Sequence, residues 1–182
     1  MLRMPMPMNP TPIPDLSYDS LPPGIRIINP DGPAELIMVV DDDDGVRMLA
    51  EYMLAHDGYR VVSAETGEKA VELIAKLRDR VDLVLLDFLL PGLNCAQTLS
   101  GLRNVVPNLP VIIVSGYTSN ENLEKLVDES HSRFIPKPVT RKKLSVGIST
   151  ALEAVSHRHG NNGCHYRHFT RVIPASLALE TP

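Results

Sequence analysis

The chain has 182 residues, with 22 acidic and 18 basic side chains and a formal net charge of -4. A general nucleic-acid binder carries a basic face, so that balance argues against nucleic acid as a partner. Aromatics make up only 4% of the residues and Trp is absent, so the core must be mostly aliphatic.

The N-terminus reads MLRMPMPMNPTPIP. Its prolines remove backbone donors and block helix. Residues 1 to about 34 are therefore expected to form an extended or disordered arm. The arm has no uninterrupted apolar core, so it does not read as a signal peptide. No stretch approaches the roughly 18–20 apolar residues of a membrane span. Cys95 and Cys164 lie far apart and form no metal-type pair. Free thiols in a reducing compartment, the cytoplasm, are the expectation.

From residue 35 the pattern changes. ELIMVV is a short apolar run ending in acids. In VRMLAEYMLAH, helical spacing puts Val46, Leu49, Ala50, Met53 and Leu54 on one apolar stripe. GYRVVSA reads as a second strand opened by Gly58. TGEKAVELIAKLRDR reads as a helix capped by Thr66, with Ala70, Leu73, Ile74 and Leu77 facing inward. VDLVLLD is a third strand, CAQTLSGLRNV a helix and LPVIIVS a fourth strand. NENLEKLVDES is a short helix and RFI a minimal fifth strand. RKKLSVGISTALEAV closes the domain near residue 156, with Leu144, Ile148, Ala151, Leu152 and Val155 on one face. Residues 157–182 contain HRHGNNGCHYRHFTR, a His- and Arg-rich tail without apolar period, expected to be disordered. A metal role for that tail has little support, because the ligand spacing matches no finger.

Five strands alternating with five helices make a (βα)5 chain. LIMVV, LVLL and VIIV are apolar throughout rather than alternating, as strands covered by helices on both faces are. The sheet is therefore expected to be parallel, with its site beyond the carboxyl ends of the strands. The residues there are Asp41 and Asp42 after strand one and Asp87 after strand three. Ser115 follows strand four and Lys137 strand five. Crowded carboxylates repel one another, and a hard divalent cation resolves the conflict. Mg2+ takes oxygen ligands from carboxylates, waters and phosphate. Lys137 and Ser115 suit phosphoryl oxygens. Asp87, alone at the middle of the sheet, is the expected nucleophile, since carboxylates can carry a phosphoryl group. Asp43 and Asp44 have a blander expectation, one of them capping the helix that starts near Val46.

MVVDDD, LVLLDFLLPGLN, VIIVSGY and FIPKPV together resemble the receiver domain of bacterial two-component response regulators and hybrid sensor kinases. The resemblance covers about residues 35 to 155 in order. It implies a flavodoxin-like three-layer sandwich with a parallel five-stranded sheet of order 2-1-3-4-5. It implies Asp87 as phosphoacceptor, Asp42 as a direct Mg2+ ligand and Asp41 alongside. The backbone carbonyl of Leu89 completes the ligands. Ser115 becomes the switch hydroxyl, Phe134 the switch aromatic and Lys137 the phosphate-binding lysine. A cis bond between Lys137 and Pro138 is also implied. The implied partner is a sensor histidine kinase or a histidine phosphotransfer protein. A homodimer through the last two helices and the fifth strand is a further expectation. Leu89 and Tyr117 border the path of hydrolytic water, and being aliphatic and bulky they imply slow loss of the phosphoryl group. Cys95 stands where the family usually has Gly, and Phe134 where Tyr is commoner.

Two other functions compete. A haloacid-dehalogenase-type phosphatase uses a D-x-D-x-[TV] pattern, which Asp42, Asp44 and Val46 satisfy. Such an enzyme needs an acidic pair after the lysine, but nothing acidic follows Lys137 until Glu153. A receiver that ignores phosphate and only docks is the third reading.

Overall fold

The three uniformly apolar runs become the three central strands. The computed structural model describes residues 25–116 and 132–156. In chain order the elements are β1 (Leu36–Val40), α1 (Asp44–His56), β2 (Arg60–Ala64), α2 (Gly67–Leu77), β3 (Leu83–Asp87), α3 (Cys95–Val105), β4 (Val111–Ser115), β5 (Ser132–Pro136) and α4 (Arg141–Ser156). The sheet order is β2-β1-β3-β4-β5, and every pairing is parallel. Every residue of β1, β3 and β4 is buried, while the edge strands β2 and β5 are covered only in part. Both faces of the centre are thus lined by apolar side chains, which is why those strands show no alternation.

Successive side chains point to opposite faces, and the core splits accordingly. Met38, Val40, Val84 and Leu86 pack with Ala70 and Ile74 of α2 and Leu99 and Leu102 of α3. Ile37, Val39, Leu83 and Leu85 pack with Ala50 and Leu54 of α1 and Leu144 and Ile148 of α4. The result is a three-layer sandwich of the flavodoxin-like kind. The expected helix NENLEKLVDES, Tyr117 and the His-rich tail lie outside the described residues.

Two local features go beyond these expectations. The first concerns the end of the N-terminal arm. Ile28 forms an antiparallel bridge with Val61 of β2, its N–H donating to the Val61 carbonyl at 2.8 Å. Ile25 and Ile27 are buried on the α2 side of the sheet, and Ile28 packs toward the α1 side. The Asn29 amide donates to the Tyr59 carbonyl at 3.0 Å and to the Ala55 carbonyl near the end of α1 at 3.4 Å. Residues 25–34 therefore strap the open edge of β2, a place where unpaired backbone otherwise invites foreign strands. The prolines hid this because they read as punctuation, whereas here Ile28 pairs with β2 and a turn at Asn29, closed by Gly32 N–H to the Asn29 carbonyl at 2.9 Å, follows it.

The second concerns the stripe on α1. Ala50 and Leu54 are buried, but Val46 is 39% and Leu49 54% exposed. Helical period assigns residues to a common face; it does not say how far the sheet covers that face.

Candidate functional site

The backbone ladder continues past the strand ends and fixes the rim. Asp41 N–H donates to the Ala64 carbonyl, Phe88 N–H to the Val114 carbonyl and Lys137 N–H to the Ser115 carbonyl at 2.8 Å. These bonds bring Asp41, Asp87, Ser115 and Lys137 to one side of the sheet. Asp41 and Asp87 are each 6% exposed and Ser115 is 1% exposed, whereas Asp42 faces solvent. Carboxylate oxygens of Asp41, Asp42 and Asp87 lie within 4.8 Å of one another. Lys137 Nζ reaches over them, 3.1 Å from Asp87 Oδ2 and 3.5 Å from Asp41 Oδ2.

The charges perturb one another. Burial raises the Asp41 carboxyl above its ordinary pKa; the Asp43 N–H opposes this, and the Asp87 charge adds to it. Burial alone would depress the Lys137 ammonium. The hydrogen bond and charge of Asp87, with those of Asp41, outweigh that and hold it above its ordinary value. Three carboxylates crowded together with one ammonium between them leave the cluster net negative. An all-oxygen donor set carrying that charge fits a hard divalent cation such as Mg2+.

The acid run itself sorts into separate jobs. Asp43 is the N-cap of α1, its Oδ1 accepting from Val46 N–H at 2.9 Å. Asp44 is the first residue of α1 and pairs with Arg47. The D-x-D-x-V reading loses its support here, since Asp44 and Val46 lie in the first turn of α1 and not at the strand end.

The loop from Phe88 to Asn94 carries Leu89, which is 56% exposed. Gly92 has φ +76, and a Cβ there would lie 2.6 Å from a Glu68 carboxylate oxygen. That carboxylate accepts from Leu93 N–H at 3.0 Å. Asn94 caps α3 in a reciprocal capping box with Gln97. The loop is thus pinned at its far end and open at Leu89. Cys95 begins α3 fully enclosed; burial, then the Asp87 charge, pushes its thiol up to about 12, so it is inert. Phe134 is half-buried against the α2–α3 side of the core, and the Lys137–Pro138 bond is cis.

Beside the acids runs an apolar groove of about 530 Å3, lined by Val46, Leu49 and Met53 of α1 with Pro138 and Val139. Its floor reaches Asp87 and Lys137. The sequence stripe on α1 was thus real, but part of it faces this groove. Sequence reading did not single out Arg47, whose only signal was an acid three residues earlier on the same helix.

The family model of the response regulator receiver domain matches residues 37–149. The chain belongs to that family, and it is a receiver domain of the two-component response regulators. Its sequence is 34% identical over 127 residues to a cyclic di-GMP phosphodiesterase of Thermotoga maritima, covering 69% of this chain and 33% of that protein. It is 32% identical to the sensor kinase CckA of Brucella abortus, covering 64% of this chain and 12% of that one. Among solved structures it resembles a response regulator receiver domain from Clostridium thermocellum, with a TM-score of 0.65. That likeness has 24% identity and covers 69% of this chain and 99% of the other, so it speaks to the fold. The chain spans about a third or less of the length of these two relatives. Receiver domains as a family serve signalling together with histidine kinases and phosphotransfer proteins. Among the described residues, no helix is long and apolar enough to cross a membrane.

Proposed function

We propose that Asp87 accepts a phosphoryl group from a phosphohistidine, carried by a sensor histidine kinase or a histidine phosphotransfer protein. The observation that carries this reading is the juxtaposition of the enclosed Asp87 carboxylate with Lys137 at 3.1 Å and two further acids. In the transfer, an Asp87 oxygen forms a bond to phosphorus while the phosphorus–nitrogen bond to the histidine breaks. The imidazole leaves neutral once a proton is returned to its nitrogen. Lys137 and Ser115 supply positive charge and a hydroxyl donor to the phosphoryl oxygens, so positioning and electrostatics provide the catalysis. Asp41, Asp42 and Asp87, with the carbonyl of Leu89, are the groups that would hold Mg2+. When bound, the ion offsets the crowded negative charge of acids and phosphoryl group. Beyond this self-catalysed transfer and the hydrolysis of its product, in which water takes the phosphoryl group and the Asp87 carboxylate leaves, the domain is a signalling module and not an enzyme. Its place of work is the cytoplasm, where the donors present their histidines.

The apolar groove beside Asp87 suits a donor that lays an amphipathic helix against α1, with its phosphohistidine at the rim. Tyr52 and Leu49 extend the same exposed face, at 68% and 54%. Phosphorylation then draws Ser115 toward the phosphoryl oxygens, and Phe134 follows. This shifts the population of output faces around β5 and α4. A homodimer through that region is one form the output can take.

The direct test is intact mass after incubation with acetyl phosphate. The wild-type chain should gain one phosphoryl group with Mg2+ present and none with a chelator. No gain under either condition would leave the phosphate-independent docking module as the reading. A second expectation concerns lifetime. Leu89 is exposed, and its aliphatic side chain has no group to orient water. Leu89→Asn combined with Tyr117→Glu should hasten loss of the phosphoryl group by about 10-fold, or ~1.4 kcal/mol of barrier. Loss of label after donor removal measures it, and equal rates would show that water is not controlled at these two positions.

A further inference from the structure

Four consecutive carboxylates repel one another, so the loop that carries them needs a tether. Part of it is backbone and cap: Asp43 N–H donates to Asp41 Oδ1 at 3.0 Å, and Asp43 caps α1. The rest is one side chain. Arg47, in the first turns of α1, donates from Nη1 to the backbone carbonyl of Asp41 at 2.7 Å. Its Nη2 pairs with Asp44. The Arg47 side chain is only 14% exposed, while that of Asp44 is 83% exposed. The guanidinium therefore spans the acid run from its first member to its last, tucked beneath it. Asp42, whose side chain faces solvent, is left between two held neighbours.

We infer that Arg47 is a positioning residue of the acid site, holding the Asp41–Asp44 loop so that the Asp41 and Asp42 carboxylates stand ready for a divalent cation. This deepens the proposed function and rests on its metal reading. The competing role is plain screening, in which a nearby positive charge only tempers repulsion among the acids. The two roles differ in sign. Under screening, removing the charge leaves the site more negative, and Mg2+ binds more tightly. Under positioning, the carboxylates lose their arrangement and Mg2+ binds more weakly. Lys separates the roles again. It keeps the charge but lacks the rigid planar guanidinium that aims a fixed N–H at the Asp41 carbonyl.

The experiment is a calorimetric Mg2+ titration of the full chain without any phosphodonor, with urea melts in chelator to confirm folding. Arg47→Gln and Arg47→Lys should each weaken Mg2+ about 10-fold, the lower end for loss of a group that orients metal ligands. Asp44→Asn, which breaks only the exposed pair, should stay close to wild type. Tighter or unchanged binding by Arg47→Gln overturns the inference, as does wild-type affinity in Arg47→Lys. Asp42→Ala is the control for the site itself. If the wild type binds no Mg2+, or Asp42→Ala binds as well as wild type, the metal reading fails, separately from the role of Arg47. Amide exchange of the Asp43 N–H in metal-free protein then decides that role alone. It should quicken in Arg47→Lys at unchanged global stability, and unaltered exchange overturns the tether.

Discussion

Asp87→Asn is expected to gain no phosphoryl group under conditions that label the wild type. The substitution changes one atom and keeps the shape, so the buried end of β3 should still fold. The carboxamide, however, carries no negative charge to attack phosphorus, and its product would be an unstable imidate rather than an acyl phosphate. A loss of at least ~10^3-fold in labelling rate corresponds to about 4 kcal/mol of barrier. Lys137 keeps a partner in the variant, because Asp41 lies 3.5 Å from its Nζ. The ammonium is therefore not stranded, and loss of labelling cannot be ascribed to its displacement. Intact mass of the two proteins, treated side by side with acetyl phosphate and Mg2+, gives the answer. Equal labelling would move the acceptor to another side chain, with exposed Asp42 the first to examine.

The fold was legible because a parallel sheet writes itself plainly. Leu36–Val40, Leu83–Asp87 and Val111–Ser115 are apolar runs of strand length, and only burial on both faces removes alternation from them. Strand ends then place Asp41, Asp87, Ser115 and Lys137 on one rim with no further information. The Thr66 cap was equally readable: its hydroxyl accepts from Lys69 N–H at 3.3 Å.

What escaped has physical reasons. Ile25, Ile27 and Ile28 sit among prolines, and composition there outweighs a three-residue signal, although two of them are core residues. Val46 and Leu49 obey the helical period, yet coverage is a tertiary property. Arg47 beside Asp44 looks like an ordinary solvated i,i+3 pair. Only the fold reveals that its other nitrogen reaches the Asp41 carbonyl. Asp82 likewise reads as a polar start to a strand, and its enclosure shows only once β1 is laid beside it.

That enclosure should appear as a pH dependence of stability. Asp82 lies at the opposite end of the sheet from the acid site. Its Oδ2 accepts from Leu36 N–H at 2.8 Å, and its own N–H donates to the Leu36 carbonyl. Burial pushes its carboxyl up to about 6; the Leu36 N–H and Arg60 pull downward, and the Glu35 charge adds to the rise. An unfolded Asp titrates near ~3.9. Between those two values the folded chain holds a proton that the unfolded chain has released. The Asp82 contribution to stability therefore falls as pH rises from about 4 to about 6. The full shift corresponds to at most about 3 kcal/mol, an upper bound because the residue keeps some contact with water. Asp82→Asn should match the wild type near pH 4, where the native carboxyl is protonated and equally neutral. It should then become the more stable protein as pH rises toward 7. Asp41 shares the upward direction but is present in both chains, so the difference isolates Asp82. Urea unfolding at several pH values in chelator measures that difference. A constant offset across the range, or a wild type that gains on the variant toward pH 7, would show that the Leu36 N–H and Arg60 hold the charged form at no net cost.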